Sequence, residues 1–146
     1  MTRTMAIHLS TPARELVIPR ALRLRFATWD GHRGVLPGHE AALALICEGP
    51  LHVAALADTP AADARDEAPV DRFLACEEGI ATIEPDAVRI AARWAAEAAS
   101  TEALMALVDQ RARLRRRLEE EARALSRRHE IAVQEALSRL KRDPFQ

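Results

Sequence analysis

The C-terminal part of the chain is a long segment without a helix breaker. Residues 87–143 contain neither glycine nor proline, and arginine, glutamate and alanine are frequent among them. Large apolar residues recur there at roughly helical spacing, a pattern typical of an amphipathic helix. These residues are Leu104, Leu107, Val108, Leu114, Leu118, Leu125, Val133, Leu137 and Leu140. The pattern predicts a helical C-terminal part, with Ser100 or Thr101 as its N-cap.

Two helical geometries fit this segment. A single helix of about 40 residues would be roughly 60 Å long. An antiparallel pair of helices would turn near residues 126–130, because large apolar residues are missing between Leu125 and Ile131. The absence of Gly and Pro weakens the hairpin, but the sequence leaves both geometries open.

The first part of the chain predicts short β-strands separated by turns. In residues 21–29, Leu22, Leu24 and Phe26 alternate with polar residues and share one face. Other strands are predicted at residues 5–11, 15–19, 51–57, 71–77, 79–84 and 87–93, with turns at 30–34, 37–38, 48–50 and 84–86. Residues 58–69 are rich in Ala, Asp and Pro and predict a hairpin loop.

This spacing of short strands predicts an antiparallel sandwich or barrel. We therefore predict an α+β chain of two parts. An N-terminal antiparallel β-sandwich or barrel occupies residues 1–93, and a C-terminal long helix or helical hairpin occupies residues 94–146.

Charge divides the chain into an acidic body and a basic helical segment. Residues 1–108 carry 10 basic and 15 acidic side chains, whereas residues 109–142 carry 11 basic and 6 acidic ones. A net charge of −1 and an aromatic content of 3% argue against a dedicated nucleic-acid binder. The basic segment predicts an acidic protein partner. The alternative interpretation is a solvated helix face with ion pairs at Arg115–Glu119 and Arg117–Glu121.

The reactive side chains show no arrangement typical of a catalytic or metal site. Cys47 and Cys76 have no paired spacing, and the five histidines lack the spacing of metal ligands. No nucleophile elbow or Gly-rich phosphate loop is present. Residues 2–13 lack a signal-peptide core, and no stretch approaches the roughly 18 apolar residues that span a bilayer. We expect reduced thiols, no cofactor, no metal, no catalysis by this chain alone and a cytoplasmic location.

The most specific motif is GHRGVLPGHE, at residues 31–40. Its glycines permit positive φ or a close backbone approach, and Pro37 before Gly38 favours a type II turn. From physical chemistry alone, the segment predicts two tight turns of a small β domain. The segment also resembles the G-x-x-G-[IL]-x-P-G-H signature of the epsilon subunit of F-type ATP synthases, a subunit called delta in mitochondria. Val35 is a conservative replacement within that signature.

The resemblance extends over nearly the whole chain. Residues 9–15 look like the family's first hairpin, and residues 48–53 and 73–93 look like later strands. Two departures stand out: Glu78 replaces the first glycine of a Gly-Gly pair, and VDQRA at residues 108–112 does not match a nucleotide-binding motif found in some members. We therefore predict no ATP binding. The long loop and the continuous Glu/Arg helix look more like the alternative, N-type bacterial subclass, some members of which are suggested to pump sodium.

The resemblance implies a subunit of the central stalk that contacts the gamma subunit and the c-ring and couples ion flow to ATP synthesis. It also implies a peripheral location at the cytoplasmic face of the bacterial inner membrane. His32 and Arg33 match the family position nearest the c-ring, and Pro37, Gly38 and His39 complete the predicted contact set. The coupling ion, proton or sodium, stays open. The alternative function is a non-catalytic adaptor with a β-sandwich and a coiled-coil arm in another assembly.

The resemblance also implies a regulatory arm. In similar proteins a basic C-terminal helix reaches the acidic region of the catalytic beta and alpha subunits and blocks rotation driven by ATP hydrolysis. The candidates for that contact are Arg113, Arg115, Arg116, Arg117, Arg123, Arg127 and Arg128.

Overall fold

The computed structural model describes residues 2–58 and 67–142, in which nine β-strands precede one α-helix. The strands are β1 (Met5–Ser10), β2 (Glu15–Thr28), β3 (Gly31–Val35), β4 (Ala42–Ile46), β5 (Gly49–Ala55), β6 (Val70–Cys76), β7 (Gly79–Ile83), β8 (Ala87–Ala92) and β9 (Ala95–Ala98), and the helix is α1 (Thr101–Arg142). The predicted fold class, an N-terminal β-sandwich followed by a helical part, is confirmed. The chain forms two compact units, Met1–Val108 and Asp109–Gln146.

The strands of the first unit form a sheet that folds over on itself. Their order is β4-β7-β8-β1-β2-β5-β6-β9, and β3 pairs with β2. The β1–β8 pair is parallel, and the other pairs are antiparallel. Contact between β2 and β4 brings the two halves together around one core. In most strands alternate residues fill that core, among them Leu24, Phe26, Ile83 and Ile90, which are at most 1% exposed. Burial of each such side chain stabilises the fold by roughly 1.5–3 kcal/mol.

Strand β2 is longer than the sequence predicts. The sequence pattern predicts two strands, at residues 15–19 and 21–29, and a proline inside a strand removes one ladder hydrogen bond. The structure instead has one strand, whose pairing with β1 shifts register between Met5 and Ile7 and whose pairing with β5 shifts between Ala21 and Arg23. Pro19 lies in this irregular stretch and is exposed. A local bulge accommodates the proline without ending the strand.

Three strands were not predicted. The sequence predicts a turn at residues 30–34. In the structure the turn lies at residues 29–30, and Gly31–Val35 is strand β3, paired with β2. Strand β4 has apolar residues on both faces, so it shows no apolar–polar alternation. Strand β9 is AAEA, made of good helix formers, and its pairing with β6 overrides that propensity. It follows residue 93, where we place the end of the sandwich from sequence.

The helix begins at the predicted cap. The Ala103 amide donates to the Ser100 hydroxyl oxygen at 3.2 Å, and the Leu104 amide donates to the Ser100 carbonyl at 3.0 Å. The first bond caps an amide that has no partner within the helix, and the second is the first i→i−4 bond of the helix. The 42 residues of α1 form one helix without a hairpin turn, about 63 Å long. Within the first unit, Leu104 is 3% exposed.

The predicted loop at residues 58–69 lies largely outside the described residues. The strands that flank it, β5 and β6, are antiparallel neighbours. In the part of the chain that the structure describes, no helix is long and apolar enough to cross a membrane.

Candidate interaction surfaces

The hairpin tip, residues 29–33, joins β2 to β3. The Thr28 hydroxyl donates to Asp30 Oδ1 at 2.6 Å and also lies 3.1 Å from the Gly31 carbonyl oxygen. The hydrogen bond from Thr28 is the main cause that lowers the pKa of Asp30; a backbone hydrogen bond and the charge of Arg33 add to it. Gly31 has a φ of 135°, which disfavours any residue with a Cβ. At this tip Trp29 is 83% exposed.

The predicted contact residues His32 and Arg33 both belong to strand β3. His32 pairs with Ala27 and Arg33 pairs with Phe26 across the β2–β3 ladder. Both side chains are exposed. Because successive side chains of a strand point to opposite faces, the two side chains lie on different sides of the sheet. The sequence analysis did not single out Trp29, although it stands beside them with the largest exposed fraction of any large apolar residue described.

The Pro-Gly turn, residues 36–39, lies at the other end of β3. The His39 amide donates to the Leu36 carbonyl at 3.1 Å, and Gly38 has a φ of 86°, so the predicted type II turn is confirmed. The Gly38 amide donates to the Pro85 carbonyl at 2.7 Å, which fastens the turn to the β7–β8 connection. The His39 ring nitrogen Nδ1 lies 2.6 Å from the Glu40 carbonyl oxygen.

The structure therefore separates the five predicted contact residues into two groups. His32 and Arg33 lie next to the hairpin tip, whereas Pro37, Gly38 and His39 form the turn where the chain passes from β3, in one half of the sandwich, to β4, in the other. That turn has a clear structural function, since it carries the crossover between the halves.

A third surface, the β4–β7 apolar face, consists of Leu43, Leu45 and Ile80. Leu45 lies opposite Ile80 in the β4–β7 ladder, and Leu43 lies opposite Thr82. The three apolar side chains are 72%, 63% and 52% exposed. A contiguous apolar patch on a soluble domain is typical of a protein interface. The one sequence signal of this face is that ALALI, at residues 42–46, is apolar at every position.

The predicted regulatory arginines lie on α1, in the unit Asp109–Gln146. Arg115 is half-buried and the other six are exposed. Successive helix residues are rotated by about 100°. Arg116, Arg123 and Arg127 therefore lie on the side of the helix opposite Leu114, Leu118 and Leu125. Arg113, Arg115, Arg117 and Arg128 lie on its flanks. The predicted ion pair Arg115–Glu119 is present at 3.9 Å, and Glu119 also approaches Arg123 at 4.0 Å.

The cysteines are free, and the more buried one has an unreactive environment. Burial, followed by the charges of Glu48 and Glu77, raises the pKa of Cys76 to about 12. Its thiol therefore stays protonated near neutral pH and is a poor nucleophile. Within residues 2–58 and 67–142, no group of three or more His, Cys, Asp or Glu side chains could hold a metal ion.

Comparison with known proteins identifies the fold. No protein-family model and no curated protein matches this chain. A chain of the Euglena gracilis mitochondrial ATP synthase, solved as OSCP, F1 and c-ring in rotational state 1, is 18% identical with a TM-score of 0.51. The match covers 66% of this chain and 54% of that chain, so this protein spans about half of the Euglena chain.

A second chain comes from the central stalk and c-ring of the Tetrahymena thermophila mitochondrial ATP synthase. It is 13% identical with a TM-score of 0.50, and the match covers 78% of this chain and 93% of that chain. At these identities the likeness establishes a shared fold.

Proposed function

We propose that this chain is the epsilon-type subunit of a rotary F-type ATP synthase, a non-catalytic part of the central stalk that couples ion flow through the c-ring to ATP synthesis. One observation carries the proposal. The motif GHRGVLPGHE forms β3 and the Pro-Gly crossover turn, and it does so within a fold shared with a chain of a central stalk and c-ring structure. We place the complex at the cytoplasmic face of a bacterial inner membrane.

The hairpin tip is the proposed contact with the c-ring. It presents one large aromatic side chain, Trp29, beside the imidazole of His32 and the guanidinium of Arg33. Tryptophan and arginine are enriched among the residues that dominate interface energies, because they combine apolar area with directed hydrogen bonds. Such a tip suits the polar loops of the c-ring, since Trp29 offers apolar contact area and Arg33 offers a positive charge.

The β4–β7 apolar face is the proposed contact with the gamma subunit. Permanent interfaces are more apolar than transient ones. This face is apolar and exposed in the single chain, through the side chains of Leu43, Leu45 and Ile80. The arginines of α1 are the proposed contact with the acidic region of the beta and alpha subunits. We also propose that the complex belongs to the N-type bacterial subclass, which the long loop and the continuous Glu/Arg helix of the sequence resemble.

Purification of the tagged full-length chain from its own membranes tests the proposal. We expect the gamma subunit and the c-ring to co-purify with it after mild detergent extraction. Leu45→Glu should lose gamma, because a carboxylate would be buried in an apolar interface. Val70→Glu is the matched control, since Val70 is also exposed, at 57%, but lies on β6. Recovery with a different assembly would support the adaptor alternative, and ATP turnover by the isolated chain would indicate an enzyme.

A further inference from the structure

A cationic groove lies on the outer face of β2, β3, β5 and β6, separate from the β4–β7 apolar face. Its volume is about 380 Å³, and its lining includes Arg23, Arg25, His32, His52, Asp71 and Phe73. Arg25 lies opposite His52 in the β2–β5 ladder, and His52 lies opposite Phe73 in the β5–β6 ladder. These pairings form a row of side chains that crosses three strands on one face.

The two arginines of the groove carry charge that the described chain does not neutralise. Among the described residues, Arg23 and Arg25 form no ion pair. Their neighbours differ: Arg20 makes two hydrogen bonds to the Glu67 carboxylate, at 2.8 and 2.9 Å, and Arg72 binds Glu97 at 2.6 Å. Within the described parts of the chain, the groove thus holds two guanidinium groups without a carboxylate partner, beside two arginines that have one.

The spacing of these groups fits an extended chain. Arg23 and Arg25 are two residues apart on β2, so their Cα atoms are about 6.8 Å apart and both side chains point outward. Two carboxylates at positions i and i+2 of an extended peptide have the same spacing. Each guanidinium can donate two parallel hydrogen bonds to one carboxylate. The half-buried Phe73 offers an apolar surface to the aliphatic stems of the acidic side chains.

The groove suits a peptide carboxylate better than a phosphate. Phosphate sites usually use clustered backbone amides, at a helix N-terminus or a glycine-rich loop. Here the surrounding segments are strands, whose backbone groups pair in the β2–β5 and β5–β6 ladders. We infer that the cationic groove binds an extended acidic segment of a protein partner, with two carboxylates at alternate positions.

The inference stands on these residues and does not depend on the proposed function. It can be tested by NMR titration of the ¹⁵N-labelled full-length chain with the blocked peptide acetyl-Ala-Glu-Ala-Glu-Ala-amide. We expect shifts of amides in β2, β5 and β6. The basic helix α1 also attracts acidic peptides, so the location of the shifts separates the groove from the helix. The peptide with Gln in place of Glu should produce no such shifts.

The variant Arg23→Gln with Arg25→Gln should weaken peptide binding about tenfold, because two exposed charge pairs are lost. Arg93→Gln with Arg139→Gln removes the same charge from exposed arginines outside the groove and should leave the groove affinity unchanged. The variant Arg23→Lys with Arg25→Lys should lose less than the Gln pair, because it keeps the charge but not the forked geometry.

Three outcomes would overturn the inference: equal binding of the Gln peptide, shifts confined to α1, or an equal loss in the control variant. A fourth outcome would overturn the assignment of an acidic peptide as the ligand. If inorganic phosphate or pyrophosphate binds the groove amides more tightly than the Glu peptide, the groove is an oxyanion site. The amide spectrum of each variant, compared with that of the unmodified chain, shows that the fold is retained.

Discussion

At the scale of single residues, the hairpin tip contains one short hydrogen bond between a hydroxyl and a carboxylate. The Thr28 hydroxyl donates to Asp30 at 2.6 Å. Because Asp30 is exposed, solvent screens the effect of neighbouring charges such as Arg33 on its carboxylate. The hydrogen bond favours the ionised carboxylate, which lowers the pKa of Asp30 below its ordinary value of 3.8. A group whose pKa is lowered by folding stabilises the folded state above its unfolded pKa. That contribution disappears as the pH falls through the folded pKa.

Thr28→Val should therefore raise the pKa of Asp30 towards 3.8, because valine keeps the β-branched shape but cannot donate the hydrogen bond. A ¹³C NMR titration of the Asp30 carboxyl measures the change. Thr82→Val, on the exposed side of β7, is the control and should leave the Asp30 titration unchanged. An Asp30 pKa that does not move in Thr28→Val would assign the shift to the backbone and to Arg33 instead.

At the scale of strands and turns, what the sequence predicts well is local and what it misses is tertiary. The alternation in β2 and the type II turn at Pro37 and Gly38 follow from the residues themselves. Strand β9 does not, because AAEA forms a strand only through its pairing with β6. The continuity of β2 through Pro19 is also a tertiary effect, since it requires coordinated register shifts against β1 and β5.

Two glycines in strands have opposite environments, which yields a prediction about stability. A Cβ on Gly79 would lie 2.8 Å from the Ala91 carbonyl oxygen, a backbone atom that cannot rotate away, whereas a Cβ on Gly34 would meet nothing within 4 Å. Gly79→Ala should lower the free energy of unfolding by about 1–3 kcal/mol, the typical cost of overpacking. Gly34→Ala should be neutral or stabilising by up to about 1 kcal/mol. Guanidinium denaturation followed by circular dichroism measures both.

Equal destabilisation by the two substitutions would refute the steric explanation for Gly79. The outcome at Gly34 also bears on the motif at residues 31–40. This glycine has neither a positive φ nor a crowded Cβ position. When neither backbone conformation nor packing within the chain requires a glycine in a strand, the close approach of a partner's backbone can require it. If Gly34→Ala preserves stability but weakens co-purification with the c-ring, the glycine serves the partner.

At the scale of the whole molecule, the candidate surfaces differ in how far the sequence predicts them. The positions of His32, Arg33, Pro37, Gly38 and His39 came from a linear motif. That motif says nothing of the spatial separation between the hairpin tip and the Pro-Gly turn. The β4–β7 apolar face and the cationic groove each require neighbours that are distant in sequence, such as Leu45 with Ile80. Strand order creates both surfaces, and strand order follows from packing rather than from any local pattern.

Removal of the basic part of the helix tests the regulatory half of the proposed function. The cut belongs after Val108, because the first compact unit extends to that residue and includes the buried Leu104 and the Ser100 cap. Deletion of residues 109–146 should leave assembly intact and raise ATP hydrolysis by the purified complex at least about fivefold, the lower end of typical coupling between sites. Phosphate release measures the rate, and thermal unfolding of the shortened chain checks that the sandwich is retained.

A charge variant separates the two ways in which this helix could act. Arg113→Gln, Arg116→Gln and Arg117→Gln, made together, remove three exposed cations and keep good helix formers at each position. If the arginines bind an acidic surface of the partner subunits, this variant should raise hydrolysis nearly as much as the deletion does, and added salt should reduce the difference from the unmodified complex. If the helix acts by bulk alone, only the deletion should raise the rate. Unchanged hydrolysis in both variants would mean that α1 is a solvated structural helix without a regulatory function. The exposed arginines and the weak i,i+4 ion pairs of α1 also fit that alternative.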